Sequence, residues 1–341
     1  MRLALVAIVK NEESCIQRML NSVATITDEQ IVVDTGSSDA TPELAAAAGA
    51  RVFRYKWNDS FSDARNFALS LTKCPWRLFL DADEWLEDGA DVLQDVKNYP
   101  PVFVGQVEIR STFSDPSIQN EKLGSIDRVS RLLPTGVIYR GDIHEQPSHS
   151  LPVTVLPVTL GHDGYETTQL AKKGARNLSI LERVLLVQHD DPYLRFQYAR
   201  ELKRHGRLEE ASESIQKVIQ SLSSGCSALW QEDAVCLALE IFADIKAFSD
   251  GLSLIENKAD ALENSVDFWF SVGIFSCRLA ESMPTVATQA LERMESSFEY
   301  CVELGKLGYK SRIVLGRESY LAERGMNALR VKLKGLKSRR F

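Results

Sequence analysis

The chain has 341 residues, 44% of them apolar and 26% charged, with a formal net charge of −7. That length allows two domains with a core each, and the composition excludes a disordered or fibrous chain. An acidic chain is not drawn to nucleic acid, and no apolar run approaches the ~20 residues of a membrane span.

The charge is unevenly spread. Residues 303–341 hold 11 Lys plus Arg against 3 Glu, which leaves −15 on residues 1–302. Such a basic tail is either a solvated helix end or a contact for phosphates and acidic membrane surface. Six cysteines, at 15, 74, 226, 236, 277 and 301, form no C-x-x-C pair. They read as core thiols in a reducing cytoplasm, not as a zinc site or disulfide framework. The opening "MRLALVAIVKNEES" is apolar for only about seven residues and lacks a small-residue cleavage site. It predicts a buried strand and not a signal peptide.

In chain order, Leu3–Val9 is a continuous apolar run, suited to a strand covered on both faces. "EESCIQRMLNSV" follows with apolar residues at 16, 19, 20 and 23, a helical spacing. "QIVVD" predicts a second strand, and "TPELAAAAGA" a helix capped by Thr41, with Pro42 at its first position and Gly49 near its end. "RVFRY", "SDARNFALSLT" and "WRLFL" continue the alternation as strand, helix and strand. Alternation with short connections implies a mostly parallel sheet covered by helices, and ligands of such sheets bind beyond the carboxyl ends of the strands. Val9-Lys10-Asn11, Asp34-Thr35-Gly36-Ser37 and Asp81-Ala82-Asp83 all fall at such ends.

From about Gln169 the strand signal vanishes. Residues 192–220 read as a helix pair around a turn at Gly206. Leu194, Tyr198, Ala199 and Leu202 line the first helix, and Leu208, Ala211, Ile215 and Val218 the second. The small Ala199 and Ala211 let the two helices approach closely. The pair resembles a tetratricopeptide repeat, whose period is ~34 residues, and the helical segments after it match that pattern loosely.

Two aspartates one residue apart at the end of a buried strand can face a divalent ion with hard oxygen ligands. Asp34 with the "TGSSD" turn can meet a ribose and phosphates, and Arg65 in "DARN" suits a diphosphate. "VAIVKNEES", "IVVDTGSSDAT", "FSDARNFAL" and "FLDADEW", in this order and spacing, resemble a family-2 glycosyltransferase of the GT-A fold over about residues 2–165. The resemblance implies an α/β catalytic domain, residues 1–168, followed by an all-α tetratricopeptide-like domain, residues 169–341. It further implies a nucleotide-diphosphate sugar donor, usually a UDP-sugar, and Mn²⁺ or Mg²⁺ held chiefly by Asp83. Asp81 would reach the ribose or a metal-bound water, Asn11 and Asp34 would line the nucleotide pocket, and Arg65 would meet the diphosphate. Val9, Glu12, Gly36, Ser37 and Ala82 complete the expected donor site. Many relatives carry a second consecutive aspartate that reads the base; here that position is Thr35.

Inverting transfer needs a base for the acceptor proton. The Glu-Asp pair that many relatives use is missing between residues 100 and 165. "YRGDIHEQP" resembles the Ile-His-Glu signature of a subgroup, which makes Glu145 the candidate base, His144 its orienter and Asp142 its rival. A late histidine, His162, is expected as a further metal ligand beside Asp83 and Asp81, and otherwise as a cap of its strand–helix junction. His149, His189 and His205 read as surface residues.

A transferase followed by repeats resembles bacterial peptide S- and O-glycosyltransferases and core-polysaccharide transferases. The expected acceptor is a peptide side chain, with a saccharide hydroxyl of lipopolysaccharide or capsule as the alternative. A repeat scaffold with an inactive transferase would have lost D-x-D or Arg65, and a nucleotidyltransferase would show a Gly-rich basic loop after its first strand. The repeats could also pair two copies. The expected location is the cytoplasm, with the basic C-terminus as a peripheral membrane contact.

Overall fold

A computed structural model describes residues 2–114, 122–163, 167–222, 228–309 and 311. The chain divides into two compact units, one ending at Lys173 and the other beginning at Gly174.

The first unit opens with the expected alternation: β1 (Leu3–Val9), α1 (Ile16–Ser22), β2 (Glu29–Asp34), α2 (Thr41–Ala47), β3 (Arg51–Arg54), α3 (Phe61–Ser70) and β4 (Trp76–Phe79). The chain then adds β5 (Glu84–Asp88), α4 (Ala90–Val96), β6 (Val104–Ser114), β7 (Lys122–Pro134), a hairpin of β8 (Ile138–Arg140) and β9 (Gln146–Ser148), and β10 (Val153–His162). Eight strands form one sheet in the order β3-β2-β1-β4-β7-β6-β10-β5. The pairs β3–β2, β2–β1, β1–β4 and β6–β10 are parallel; β7 and β5 run against their neighbours.

Strand alternation explains why β1 is apolar throughout. Leu3, Leu5, Ala7 and Val9 join the core shared with α1, α2, α4 and β10, while Ala4 and Val6 join the opposite core beneath α3. From β1 the chain steps to β2 on one side and later returns to β4 on the other. The crevice at this switch lies at the carboxyl ends of β1 and β4, where open α/β sheets hold their ligands.

One helix cap differs from expectation. Ala40, not Thr41, stands at the N-cap of α2. The fully buried Thr41 hydroxyl is taken by its surroundings: it accepts from Glu12 N at 2.7 Å and donates to Asp39 Oδ1 at 2.5 Å.

The second unit contains α5 (Thr167–Leu185), which begins just ahead of Gly174, then α6 (Pro192–Arg204), α7 (Leu208–Ser221), α8 (Leu229–Asp244), α9 (Phe248–Lys258), α10 (Val266–Ser282) and α11 (Ala287–Lys306). The α6–α7 pair follows the sequence pattern. Asp191 caps α6 through Tyr193 N and Leu194 N, and Gly206 turns the chain at φ 72°. Leu194, Ala199, Leu202, Ala211, Ile215 and Val218 are buried. Tyr198 and Leu208 are only half-buried.

Cys15, Cys74, Cys236 and Cys301 are buried thiols and Cys277 is half-buried; Cys226 and most of the basic tail lie outside the described residues. Among the described residues no helix is long and apolar enough to cross a membrane.

Two glycines let aromatic rings enter neighbouring helices. A Cβ on Gly251 of α9 would lie 2.2 Å from the Phe275 ring of α10, and one on Gly273 would lie 2.6 Å from the Phe298 ring of α11. Phe275 is 1% exposed and set edge-on to Phe248 at 5.8 Å, so it has little room to retreat. Gly251→Ala should therefore cost up to about 3 kcal/mol through overpacking, more than the about 1 kcal/mol of helix propensity gained, for a net loss of stability. A denaturant midpoint equal to or above that of wild type would contradict this packing.

Candidate active site

Three loops meet at the carboxyl edge of the sheet. The first two are tied to each other by backbone and short polar side chains. Thr35 donates to Val9 O through both its amide, at 2.9 Å, and its hydroxyl, at 3.0 Å. Asn11, in a left-handed conformation at φ 57°, donates its amide to Ser37 Oγ at 2.9 Å and accepts from Ser38 N at 2.7 Å. Asp34 is buried and turns its carboxylate onto its own turn, accepting from Ser37 N at 3.0 Å and Gly36 N at 3.3 Å. Gly36, at φ 110°, is the residue type that turn requires. Val9, Asn11, Asp34, Gly36 and Ser37 thus share one rim, and Glu12 is buried at the start of the following segment with its carboxylate 3.4 Å from Cys15 Sγ. Next to Glu12, burial pushes the Cys15 thiol up to about 12.

The third loop follows β4 and holds the acidic cluster. Glu84 N donates to Asp81 O and Asp81 N donates to Glu84 Oε2, both at 3.0 Å, so the turn Asp81-Ala82-Asp83-Glu84 is closed from both sides. The positive charge facing it comes from the chain itself. Arg65 of α3 donates through Nη2 to Asp81 Oδ1 at 3.0 Å and through Nε to Glu145 Oε1. Arg131 of β7 donates through Nη2 to Asp81 Oδ2 at 2.6 Å and to Glu84 Oε1. The result is a line of alternating charge, Glu145–Arg65–Asp81–Arg131–Glu84, in which Arg65, Arg131 and Glu84 are buried while the Asp81 side chain stays 36% exposed. Burial alone would raise the Asp81 carboxyl, but Arg131 and then Arg65 hold it well below the usual carboxylate range. Burial drives Glu84 the other way, up to about 7, with Arg131 opposing and Asp81 adding to it. Both Glu84 oxygens accept hydrogen bonds, so the turn is built around its ionised form.

Arg65 lies over the Phe79 ring at 4.2 Å and the Tyr139 ring at 5.3 Å. Its Nη1 is buried and has no hydrogen-bond partner among the described residues. The neighbouring Asn66 pairs its side-chain amide with the backbone of Tyr139, donating at 2.9 Å and accepting at 2.8 Å. Arg65 and Asn66 together therefore anchor the β8–β9 hairpin, whose connection carries Asp142, His144 and Glu145. Asp142 O accepts from Phe61 N at 2.8 Å, and Gly141 and His144 turn the connection at φ 96° and 51°.

Strand register supplies the remaining residue. In β10, His162 pairs with Glu84 of β5 on one side and Ser111 of β6 on the other. Its Nδ1 lies 2.9 Å from Ser111 Oγ, and its Nε2 lies 3.7 Å from Asp83 Oδ2. Burial would lower the His162 pKa, but Asp83, then Glu84 and Asp81, outweigh it and raise it. The structure thus brings Asp83 and His162 together, while Asp81 faces the two arginines. Among the described residues no group of three His, Cys, Asp or Glu side chains is disposed to hold a metal ion. His149, expected at the surface, is half-buried with Nδ1 3.1 Å from Leu151 O; His189 and His205 are exposed.

Arg131 and Ser111 carry much of this arrangement and have no motif in the sequence, while Asn66 and Tyr139 lie within quoted motifs that single out neither. The strand "KLGSIDRVSRLLP" does not alternate cleanly, so nothing in it marks Arg131 as inward-facing. Asn66 had one available signal, its place beside Arg65.

Residues 5–138 match the family described as Glycosyl transferase family 2. A TPR repeat-containing protein of Synechococcus elongatus is 30% identical over 234 residues, covering 62% of this chain and 54% of that protein. The chain therefore spans about half the length of that relative. The SPbeta prophage-derived glycosyltransferase SunS of Bacillus subtilis is 26% identical over 294 residues, covering 76% of this chain and 69% of that one. Among solved structures, S. aureus TarS superposes with a TM-score of 0.38 and 13% identity over 75% of this chain and 55% of TarS. The chain carries a family-2 glycosyltransferase domain.

A packing feature beside His162 is open to test. A Cβ on Gly161 would lie 2.3 Å from the Trp85 indole, which is itself covered by the Arg18 guanidinium at 3.9 Å. Arg18 is held in turn by both oxygens of Asp163 at 2.7 Å. Gly161→Ala should cost about 1–3 kcal/mol, because Trp85 cannot move aside without breaking that stack. Thermal melting of the variant checks it; an unchanged melting temperature would mean that Trp85 is not confined.

Proposed function

We propose that this family-2 glycosyltransferase domain moves a sugar from a nucleotide-diphosphate donor, a UDP-sugar, to a peptide or protein side chain, with inversion at the anomeric carbon. The observation that carries the reading is the convergence of Asp83 and His162 with the arginine-held Asp81 at the rim shared by Asn11 and Asp34. A divalent cation would be held by Asp83 and His162. Asp83 Oδ2 and His162 Nε2 lie 3.7 Å apart, and a carboxylate with a neutral imidazole is a donor pair that such an ion accepts. Ser111 occupies the other imidazole nitrogen, as a partner that orients a metal-binding histidine would.

Mn²⁺ or Mg²⁺, when bound there, supplies positive charge against the diphosphate leaving group. The protein residues do the rest. The Asn11 and Asp34 turns shape the nucleoside end of the site, with Val9, Glu12, Gly36, Ser37 and Ala82 as its backbone walls. Arg65 supplies positive charge toward the diphosphate from its place against Asp81. Glu145 takes the acceptor proton, with Asp142 as the rival, and His144 sets the connection that presents them. Arg65 holds Glu145 and Asp81 at once, so the base and the donor site share one anchor. Thr35, where relatives read the base with an aspartate, donates its hydroxyl inward to Val9 O. The helical unit selects the acceptor, since stacked helix pairs offer extended surfaces suited to peptides.

Release of UDP from a panel of nucleotide sugars with Mn²⁺ and no acceptor tests the enzyme and identifies the sugar. Asp83→Asn should abolish that hydrolysis with melting unchanged; turnover at the wild-type rate would remove Asp83 from the cation site. Glu145→Gln should leave donor binding intact and slow transfer by roughly 10²–10⁴-fold, the usual worth of a general base. Loss of donor affinity in equal measure would transfer the base role to Asp142.

A further inference from the structure

We propose that Arg131 is a positioning residue: it bridges Asp81 and Glu84 and thereby fixes the turn that presents Asp83 toward His162. The inference rests on the donor-site reading above and adds a residue that no motif marks. Asp81 and Glu84 bracket Asp83 in sequence, and one guanidinium nitrogen, Arg131 Nη2, reaches both of their carboxylates. The two mutual hydrogen bonds between Asp81 and Glu84 close the same four residues. Without Arg131 that closure would place two carboxylates side by side, in a setting where Glu84 is 3% exposed. Removing Arg131 takes away the bridge between the two side chains, and with it a constraint on the turn that carries Asp83.

Arg131 is itself fixed from behind. It sits one residue from Leu132, which pairs with Leu78 of β4, so the guanidinium is held by the strand that flanks β4. Arg65 takes the other Asp81 oxygen, which leaves Asp81 committed to arginines on both sides. Asp83 is the acidic side chain of the turn that faces the histidine. Arg131 therefore acts on the cation through geometry.

Charge and geometry can be separated. Arg131→Lys keeps the charge and loses the fork, and the double variant Arg131→Met/Glu84→Gln removes one charge of each sign. Coulomb effects alone predict little change in either, because the net charge of the network is preserved. Loss of positioning predicts a dissociation constant for Mn²⁺ raised about 10–100-fold, the usual cost of removing a residue that orients a metal ligand. In the full-length protein, Mn²⁺ binding at saturating UDP is followed by loss of the free-ion EPR signal, beside thermal melting and UDP affinity without metal. The expected result is a folded variant with weakened Mn²⁺ binding and unchanged metal-free UDP affinity. Wild-type Mn²⁺ affinity in either folded variant overturns the proposal, as does an equal loss of metal-free UDP affinity. If neither variant folds, Arg131 serves stability and the positioning role is overturned. A wild-type protein that binds no Mn²⁺ with UDP overturns the donor-site reading itself, and no variant is needed to see it.

Discussion

The first unit depends on a line of five charges, Glu145–Arg65–Asp81–Arg131–Glu84, in which Arg65, Arg131 and Glu84 are buried. Taking an ion out of water costs several kcal/mol even after the protein relaxes, so such a line persists only if its members satisfy one another. Alternation achieves this: Asp81 has an arginine on each oxygen, and each arginine has a carboxylate on either side. The line draws on α3, the turn after β4, the start of β5, β7 and the β8–β9 connection. Sheet order makes the convergence possible, because β7 lies beside β4 although β5, α4 and β6 separate them in sequence. Truncating one member of a buried pair costs about 3–5 kcal/mol. That exceeds the ~1.5–3 kcal/mol from burying one large apolar side chain, so here polar complementarity governs local geometry more than apolar area does.

The parts legible in the sequence are those with a short period or a local motif. Buried parallel strands announced themselves in Leu3–Val9 and "QIVVD", and Gly206 marked the turn between α6 and α7. Asp81, Asp83 and Arg65 stood out because they sit at strand ends or helix starts. The strands β5 to β7 carried no clear signal for a physical reason: their two faces meet different environments, and β7 places Arg131 in the core beside Leu132 and Leu133. The partner of Asp81 could not be found locally, since Arg131 is fifty residues away. Thr41 misled in the opposite sense, being a good cap by type whose hydroxyl was claimed by Glu12 N and Asp39.

The helical unit is held by a different principle. Its buried residues are mostly aliphatic and aromatic, and close approach is obtained by removing side chains at Gly251 and Gly273 so that rings can enter. Apolar packing tolerates exchange of shape when volume is conserved, whereas a charge line tolerates little. The two units should therefore differ in how sharply they respond to substitution, the helical one gradually and the sheet one abruptly at a few positions.

Two oxygens of Asp81, each already taken by an arginine, also constrain how this sequence can change over generations. A lone replacement at Arg131 strands Glu84, and one at Arg65 strands Glu145. Accepted changes should arrive as matched exchanges, Arg131 with Glu84 and Arg65 with Glu145, each partner permissive for the other. Descent along this line would proceed in coupled steps, and the record of natural variation should show those positions drifting together or not at all.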